Sequence, residues 1–286
     1  MAHALRPLGG RARRHWPAML ASYVGVFLVG VFVLFPFYWM VATSLKSTSD
    51  IFAIPPTWIP AHPTLGAYAN LANDPLFPRY FLNSVIVAGL TTVLALIVGS
   101  LAAFALARFR FRGGATLSTG LLLTQLLPQA TLLVPLFLIW TQLHLYNTPI
   151  ALVLTYLTFA LPVATWLLLS FFDSIPVDIE EQALIDGCSR FQSFYYILLP
   201  LSRGGLGGTA IYVFLAAWSE FVFALTFISS DSLRTLPVGL SLFIGQHSTA
   251  WSDLMAGATV TTIPVLVLFL AIQRFFVAGL TAGAVK

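Results

Sequence analysis

Residues Gly113–Phe172 read GGATLSTGLLLTQLLPQATLLVPLFLIWTQLHLYNTPIALVLTYLTFALPVATWLLLSFF, without a single Asp, Glu, Lys or Arg. A helix needs about 20 apolar residues to cross the hydrocarbon core of a bilayer. The stretch is too long for one such helix and long enough for two. Its one polar cluster, His144–Pro149, is the natural division. The reading predicts a span near Thr116–Leu143 and another near Ile150–Phe172. Pro128, Pro135 and Pro162 predict kinks in them, with neighbouring helices and Ser/Thr side chains meeting the freed carbonyls. The whole chain agrees with a lipid solvent. Of its 286 residues 58% are hydrophobic and 8% charged, and mean hydropathy is +0.90. A soluble domain carries about 25% charged residues, so this chain cannot cover itself with a solvated surface.

Working towards the N-terminus, an uncharged run Trp16–Leu45 follows Arg11, Arg13 and Arg14. A signal peptide has an apolar region of only about 7–15 residues and a small-residue cleavage site. This run is about twice that length and carries Pro36-Phe37-Tyr38-Trp39 near its end. It predicts a retained span with interfacial aromatics. Ser44–Arg79 holds six prolines, from Pro55 to Pro78, and predicts an external loop with short helical pieces. A span near Phe81–Ala107 then ends at Arg108, Arg110 and Arg112. Towards the C-terminus, spans are expected at Gly205–Ile228 and Leu254–Gln273, with a polar stretch Ser229–Asp253 between them. Six spans leave both termini on one side. Eleven Lys and Arg fall on that side (Arg6, Arg11, Arg13, Arg14, Arg108, Arg110, Arg112, Arg190, Arg203, Arg274, Lys286), against Lys46, Arg79 and Arg234 on the other. The bias places both termini in the cytoplasm and the chain in the cell membrane as a multi-pass protein. It also accounts for the net charge of +4 without nucleic acid. The expected organisation is a cytoplasmic tail over 1–15 and one transmembrane permease domain over 16–286.

The only long charged interruption is Asp173–Arg203, cytoplasmic by the same count. Pro176 suits a first-turn position. Asp178, Glu180 and Glu181 follow where the helix dipole favours anions, and Gly187 is a natural stop. A short helix over Pro176–Asp186 follows. Ser189 is an N-cap for a second helix, in which Phe191, Phe194, Tyr195 and Leu198 make one apolar face and which Pro200 ends. Two short helices joined by a tight turn suit a docking surface.

Glu181-Gln182-Ala183, three residues, Gly187, nine residues and Ile197-Leu198-Leu199-Pro200 together resemble the EAA loop of ABC importer permeases. Ala217-Trp218-Ser219-Glu220-Phe221, Leu236–Leu240 and the terminus Gln273–Lys286 are similar to the carbohydrate branch of that family, its MalG-like members. The resemblance covers most of the chain. It implies an all-α integral membrane protein of six helices with the type I importer fold and a coupling-helix loop at 173–203. It implies a transport subunit, not an enzyme, that translocates a carbohydrate by alternating access. The implied partners are a second homologous permease, two ATP-binding subunits, an extracytoplasmic solute-binding protein and membrane lipid. ATP and Mg would be bound by the partner ATPase, with no cofactor in this chain. Glu180, Glu181, Gln182, Ala183, Asp186, Gly187 and Arg190 would couple to that ATPase. Gln182 and Cys188 depart from the family pattern, where Ala is usual.

Each candidate has a second reading. Glu220, an acid inside a span, is functional by default; it lines the translocation pathway with Trp218, or bonds a neighbouring helix. Gly245, Gln246 and His247 sit in an external segment that resembles the family's substrate-release loop, or else belong to an interfacial loop anchored by Trp251. The acids of the 173–203 loop contact a partner or form a solvated face; no His or nucleophile accompanies them at catalytic spacing. Gly204, Gly205, Gly207 and Gly208 provide close packing or a hinge. No GxxxxGK[ST] loop occurs, the five histidines have no metal-ligand spacing, and the single Cys188 excludes a disulfide framework and reads as a small buried hydrophobe. The rival functions are a permease for a non-sugar solute and a secondary transporter, the latter opposed by the lack of a visible internal repeat.

Overall fold

A computed structural model describes residues 16–109, 111–245 and 249–283. The expected tail 1–15, Arg110 and Lys286 lie outside the described residues. Helix α1, Trp16–Ser44, is the first span. Its wall is exposed along nearly its whole length, and it packs against the last helix. The proline-rich stretch carries two short helices, α2 (Thr48–Ile51) and α3 (Gly66–Asn73). The segment is fastened to the end of α1. Tyr38 donates its hydroxyl to the Trp58 carbonyl at 2.7 Å. Buried Lys46 donates to the Thr57 carbonyl and lies over the Trp39 ring, 4.6 Å from its centroid.

Helix α4, Phe77–Arg108, begins four residues before the expected Phe81. Pro78 stands in its first turn, where its missing N–H removes no helical bond; it opens the helix instead of breaking it. The expected span Thr116–Leu143 is more than kinked. Helix α5 (Gly114–Thr124) and helix α6 (Leu133–Gln142, led in by a 3-10 turn over Gln129–Leu132) are bent by 93° at the break between them. Pro128 in extended conformation (ψ 123°) supplies the cause: it carries no amide hydrogen and keeps Leu127 from continuing the helix. Helix α7, Pro149–Asp173, is capped by Thr148, whose Oγ1 accepts from the Ala151 amide.

The charged interruption forms α8 (Val177–Ile185), α9 (Arg190–Ser193), a π-turn over Phe194–Leu198 and α10 (Leu199–Leu201). Pro200 does not end this helix; the helix runs to Leu201. It then turns 77° into α11, Arg203–Trp218. The expected fifth span also breaks, at Ser219–Phe221, before α12 (Val222–Phe227). Helix α13 (Leu236–Ser241) and helix α14 (Trp251–Gly283) complete the chain. Among the described residues four helices, α1, α4, α7 and α14, have the length and apolar composition of complete crossings. The count reaches six when each bent pair, α5 with α6 and the α9–α10 segment with α11, is taken as one crossing.

Helices α4 and α7 lie along one another, and α11 packs on both. Small residues line the contact: Ala95, Ala160, Ala164 and Val213 form one buried cluster. A Cβ on Gly99 would stand 3.3 Å from that of Ala164. Without a hydrophobic force between helices in lipid, such close backbone approach supplies the packing energy. At one end, two asparagines fix the segment after α12. Asn147, at φ +62°, donates its amide to the Phe227 carbonyl at 2.9 Å and its Nδ2 to Ser230 Oγ at 2.7 Å. Its Oδ1 accepts the amides of Ser229 and Ser230. Asn83 Nδ2 donates to the carbonyls of Ser232 and Arg234, both at 3.0 Å.

Candidate functional site: the charged loop and an intramembrane chamber

The charged loop takes the two-helix form expected, with local chemistry that fixes its turn. Pro176 is the N-cap of α8, one residue earlier than the first turn. Gly187 sits at φ +91°. Its amide donates to the Leu184 carbonyl at 3.1 Å, and that of Cys188 to Ala183 at 3.0 Å. This is a Schellman termination, which favours glycine at the left-handed position. Half-buried Cys188 follows it. Ser189 then caps α9 in a reciprocal box: its Oγ accepts from the Gln192 amide at 3.2 Å, and Gln192 Oε1 accepts from the Ser189 amide at 2.7 Å.

The apolar face read over Phe191, Phe194, Tyr195 and Leu198 divides. Phe194 and Leu198 are buried with Phe104, Leu168 and Phe172, whereas Phe191 and Tyr195 are exposed. The π-turn over these residues, closed by the Leu199 amide on the Phe194 carbonyl, departs from the 3.6-residue period on which that face was drawn. Phe194 lies between the Phe104 ring (4.8 Å) and the Phe172 ring (6.4 Å). Thus the second short helix is anchored to α4 and α7 by an apolar cluster.

The first short helix is anchored by charge. Arg108, in the last turn of α4, donates Nε to Glu180 Oε1 at 2.6 Å, and the two side chains are only 6% and 9% exposed. A second guanidinium nitrogen donates to the carbonyls of Phe172 (2.9 Å) and Ile175 (3.2 Å). Glu180 and Ala183 therefore face inward. Glu181, Gln182, Asp186 and Gly187 face outward, with Ile185 at 85% exposure beside them. Arg190 lies over the Phe109 ring at 5.4 Å. Arg108 read only as a positive stop in the sequence; its partner is 72 residues away. Exposed Ile185 was hidden inside an ordinary helical pattern.

The second site lies where the broken spans meet. The α5–α6 break and the α11–α12 break border one chamber of about 60 Å³, lined by Gln125, Gln129, Tyr156, Tyr212 and Glu220 with Phe159 and Phe223 stacked at 5.4 Å. Glu220 Oε1 accepts the Phe223 amide at 2.8 Å, while Oε2 accepts the Ala224 amide at 3.0 Å and the Tyr156 hydroxyl at 2.7 Å. Its carboxylate thus satisfies backbone donors freed by the break and bonds across to α7. Both readings of Glu220 meet here: it borders the chamber and bonds a neighbouring helix. Pockets for drug-sized ligands run to about 300–1,000 Å³, so the chamber in this conformation admits only a few waters. Trp218 is buried elsewhere, stacked on Phe214 at 5.4 Å and donating Nε1 to the Thr261 carbonyl at 3.3 Å. It joins α11 to α14 and does not line the chamber.

Between α13 and α14, Ile244 and Thr249 form an antiparallel bridge, and the Ala250 amide donates to the Phe243 carbonyl at 3.1 Å. Gly245 directly follows the bridged Ile244. Gln246 and His247 lie outside the described residues. Among the described residues no cluster of His, Cys, Asp or Glu could hold a metal ion.

Known proteins share both sequence and fold with this chain. The permease protein YcjP of Escherichia coli is 40% identical over 269 residues, 93% of this chain and 96% of that protein. The trehalose/maltose transport system permease protein MalG of Thermococcus litoralis is 39% identical, covering 92% of this chain and 95% of its own length. The trehalose transport system permease protein SugB of Mycobacterium tuberculosis is 37% identical over 98% of this chain and all of its own. A chain of a bacterial ABC transporter that imports alginate superposes with a TM-score of 0.78 at 20% identity, over 95% of this chain and 100% of that one. At that identity the likeness speaks for the fold alone. Residues 95–281 match the family described as binding-protein-dependent transport system inner membrane component, and with well over half of its length inside that match the chain belongs to this family of multi-pass transport permeases.

Proposed function

We propose that this chain is one permease subunit of an ATP-driven sugar importer and that α8 is the element through which a separate ATPase drives it. The observation that carries the reading is the outward face of α8. Glu181, Gln182 and Asp186 surround an almost fully exposed Ile185 on a short helix with a fixed turn. An exposed aliphatic ringed by polar groups is the form of a docking surface. The trehalose and maltose systems named among the relatives support sugar as the cargo. In this arrangement both termini and α8 face the cytoplasm. A second permease and two ATP-binding subunits complete the membrane assembly, and an extracytoplasmic binding protein delivers the sugar. ATP and Mg belong to the ATPase, since this sequence holds no phosphate-binding loop.

The chamber beside Glu220 marks this chain's side of the translocation pathway, held closed here and widened when the broken spans shift. The segment of Gly245, Gln246 and His247 meets the binding protein and competes for sugar hydroxyls.

Reconstitution in proteoliposomes with the ATPase, partner permease and binding protein tests the proposal. Uptake of a labelled neutral disaccharide that needs both ATP and binding protein is expected. ATP hydrolysis by the purified single chain would sink it. Shortening 245–249 should impair uptake while insertion and assembly persist; unchanged uptake kinetics would remove these residues from the site.

A further inference from the structure

We infer that Arg108 is a positioning residue for energy coupling: its guanidinium locks α8 to the ends of α4 and α7, so that motion imposed on α8 is delivered to these two spans. The inference rests on the reading of α8 as the ATPase-docking element, and goes beyond it by naming the mechanical tie. Three elements meet at one side chain. Arg108 belongs to the last turn of α4. It donates to the Phe172 carbonyl in the last turn of α7 and to the Ile175 carbonyl just beyond it, where the helix dipole favours a cation. Its Nε meets Glu180, in the first turn of α8, where the dipole favours an anion. The planar guanidinium presents its donors in a fixed fork, so satisfying all three acceptors fixes the relative position of the three helix ends.

Burial makes the tie stiff. With both side chains shielded from water, the pair is screened far less than a surface ion pair. Only Ser174, Ile175 and Pro176 connect α7 to α8, and α9 already has its own apolar anchor at Phe194. The outward residues of α8 stay free for the ATPase because Glu180 is turned the other way. The two neighbouring glutamates therefore have separate tasks: Glu181 faces the partner and Glu180 faces the spans.

Removing one member of a buried pair strands the other charge and destabilises, whereas replacing both with apolar side chains of similar size is far better tolerated. The deciding variant is therefore the double R108M/E180L, compared with R108Q and E180Q in the full transporter. The double variant is expected to insert, assemble with the ATPase and hydrolyse ATP, while sugar taken up per ATP falls about tenfold, within the range of measured coupling effects. A wild-type ratio of uptake to hydrolysis in the double variant overturns the inference. So does failure of the double variant to assemble, which would make the pair a requirement for folding alone. I185D separates the inference from the reading beneath it. If the ATPase still binds and couples to I185D, the docking role of α8 falls. If I185D abolishes binding while R108M/E180L couples normally, only the tie falls.

Discussion

Glu220 and Tyr156 are joined by a 2.7 Å hydrogen bond between helices that the membrane otherwise leaves to van der Waals packing. The same carboxylate receives the amides of Phe223 and Ala224, so it stabilises both the break in the fifth span and its contact with α7. Glu220→Ala should cost about 0.5–2 kcal/mol for the lost cap and a further ~1–3 kcal/mol for the stranded tyrosine hydroxyl. Glu220→Gln keeps an acceptor and should lose much less. Apparent Tm in detergent, read beside uptake, checks the order. Wild-type stability in Glu220→Ala, with only the uptake KM changed, would assign the carboxylate to the pathway and not to the break.

Gly187 offers a cleaner case, because no heavy atom would lie within 4 Å of an added Cβ. Within the chain, any effect of substitution is therefore conformational. Its left-handed backbone should make Gly187→Val cost roughly 1–2 kcal/mol, whereas Gly187→Asn should be mild, since asparagine tolerates this position at helix ends. Membrane levels should be similar for all three proteins. Capture of the ATPase subunit and sugar uptake should fall for Val and persist for Asn. Equal behaviour of Val and Asn would mean that the turn plays no part in docking.

Asn147 combines both effects. Its positive φ and its three side-chain hydrogen bonds to Ser229 and Ser230 hold the segment after α12 against the start of α7. Asn147→Gly retains the backbone freedom and loses the side-chain bonds, at about 0.5–1.5 kcal/mol for each, least at the exposed Ser229 amide. Asn147→Ala adds strain of about 1–2 kcal/mol. Stability should rank Asn above Gly above Ala, and a cysteine placed at Ser229 should be least reactive with Asn and most reactive with Ala. A Gly variant as stable as the native chain would show the staple to be idle.

These residues show what could be read before the structure. Span positions follow from where charge is missing, and the turn at Gly187–Ser189 follows from local chemistry, because caps and terminations involve residues only a few places apart. The broken third and fifth spans were less legible. Pro128 signalled a kink, but nothing near Ser219 in the sequence announces a break, and Glu220 was visible only as an acid in an apolar run. Arg108 and Asn147 were not legible as fasteners at all. Their partners lie 72 and 83 residues away, and pairing at that distance is decided by how α4, α7 and α11 stack. Trp218 adds a contact of the same kind: its ring packs on Phe214 and its Nε1 donates to the Thr261 carbonyl, a pairing 43 residues apart that its motif does not announce.

The glycine run that opens α11 could serve packing or bending, and Gly205 decides between them. A Cβ at Gly205 would collide with the root of the Phe171 side chain, including its own Cβ at 2.9 Å. Rotation of the ring cannot relieve a clash at that point, because Cβ and Cγ barely move when the outer torsion turns. Gly207 meets Ile272 of α14 in a similar way, so two helices close on this one from different sides. Such overpacking typically costs about 1–3 kcal/mol. Gly205→Ala should therefore lower the apparent Tm, and Phe171→Ala should recover much of that loss by removing the nearer Cγ and Cδ2, at 2.4 and 2.5 Å, while leaving the Cβ at 2.9 Å in place. A double-mutant cycle on thermal stability reads this coupling directly. A hinge predicts another pattern: Gly205→Ala would slow uptake with little change in stability, and Phe171→Ala would restore nothing. Additive stability effects across the cycle would therefore rule out close packing as the reason for glycine at this position.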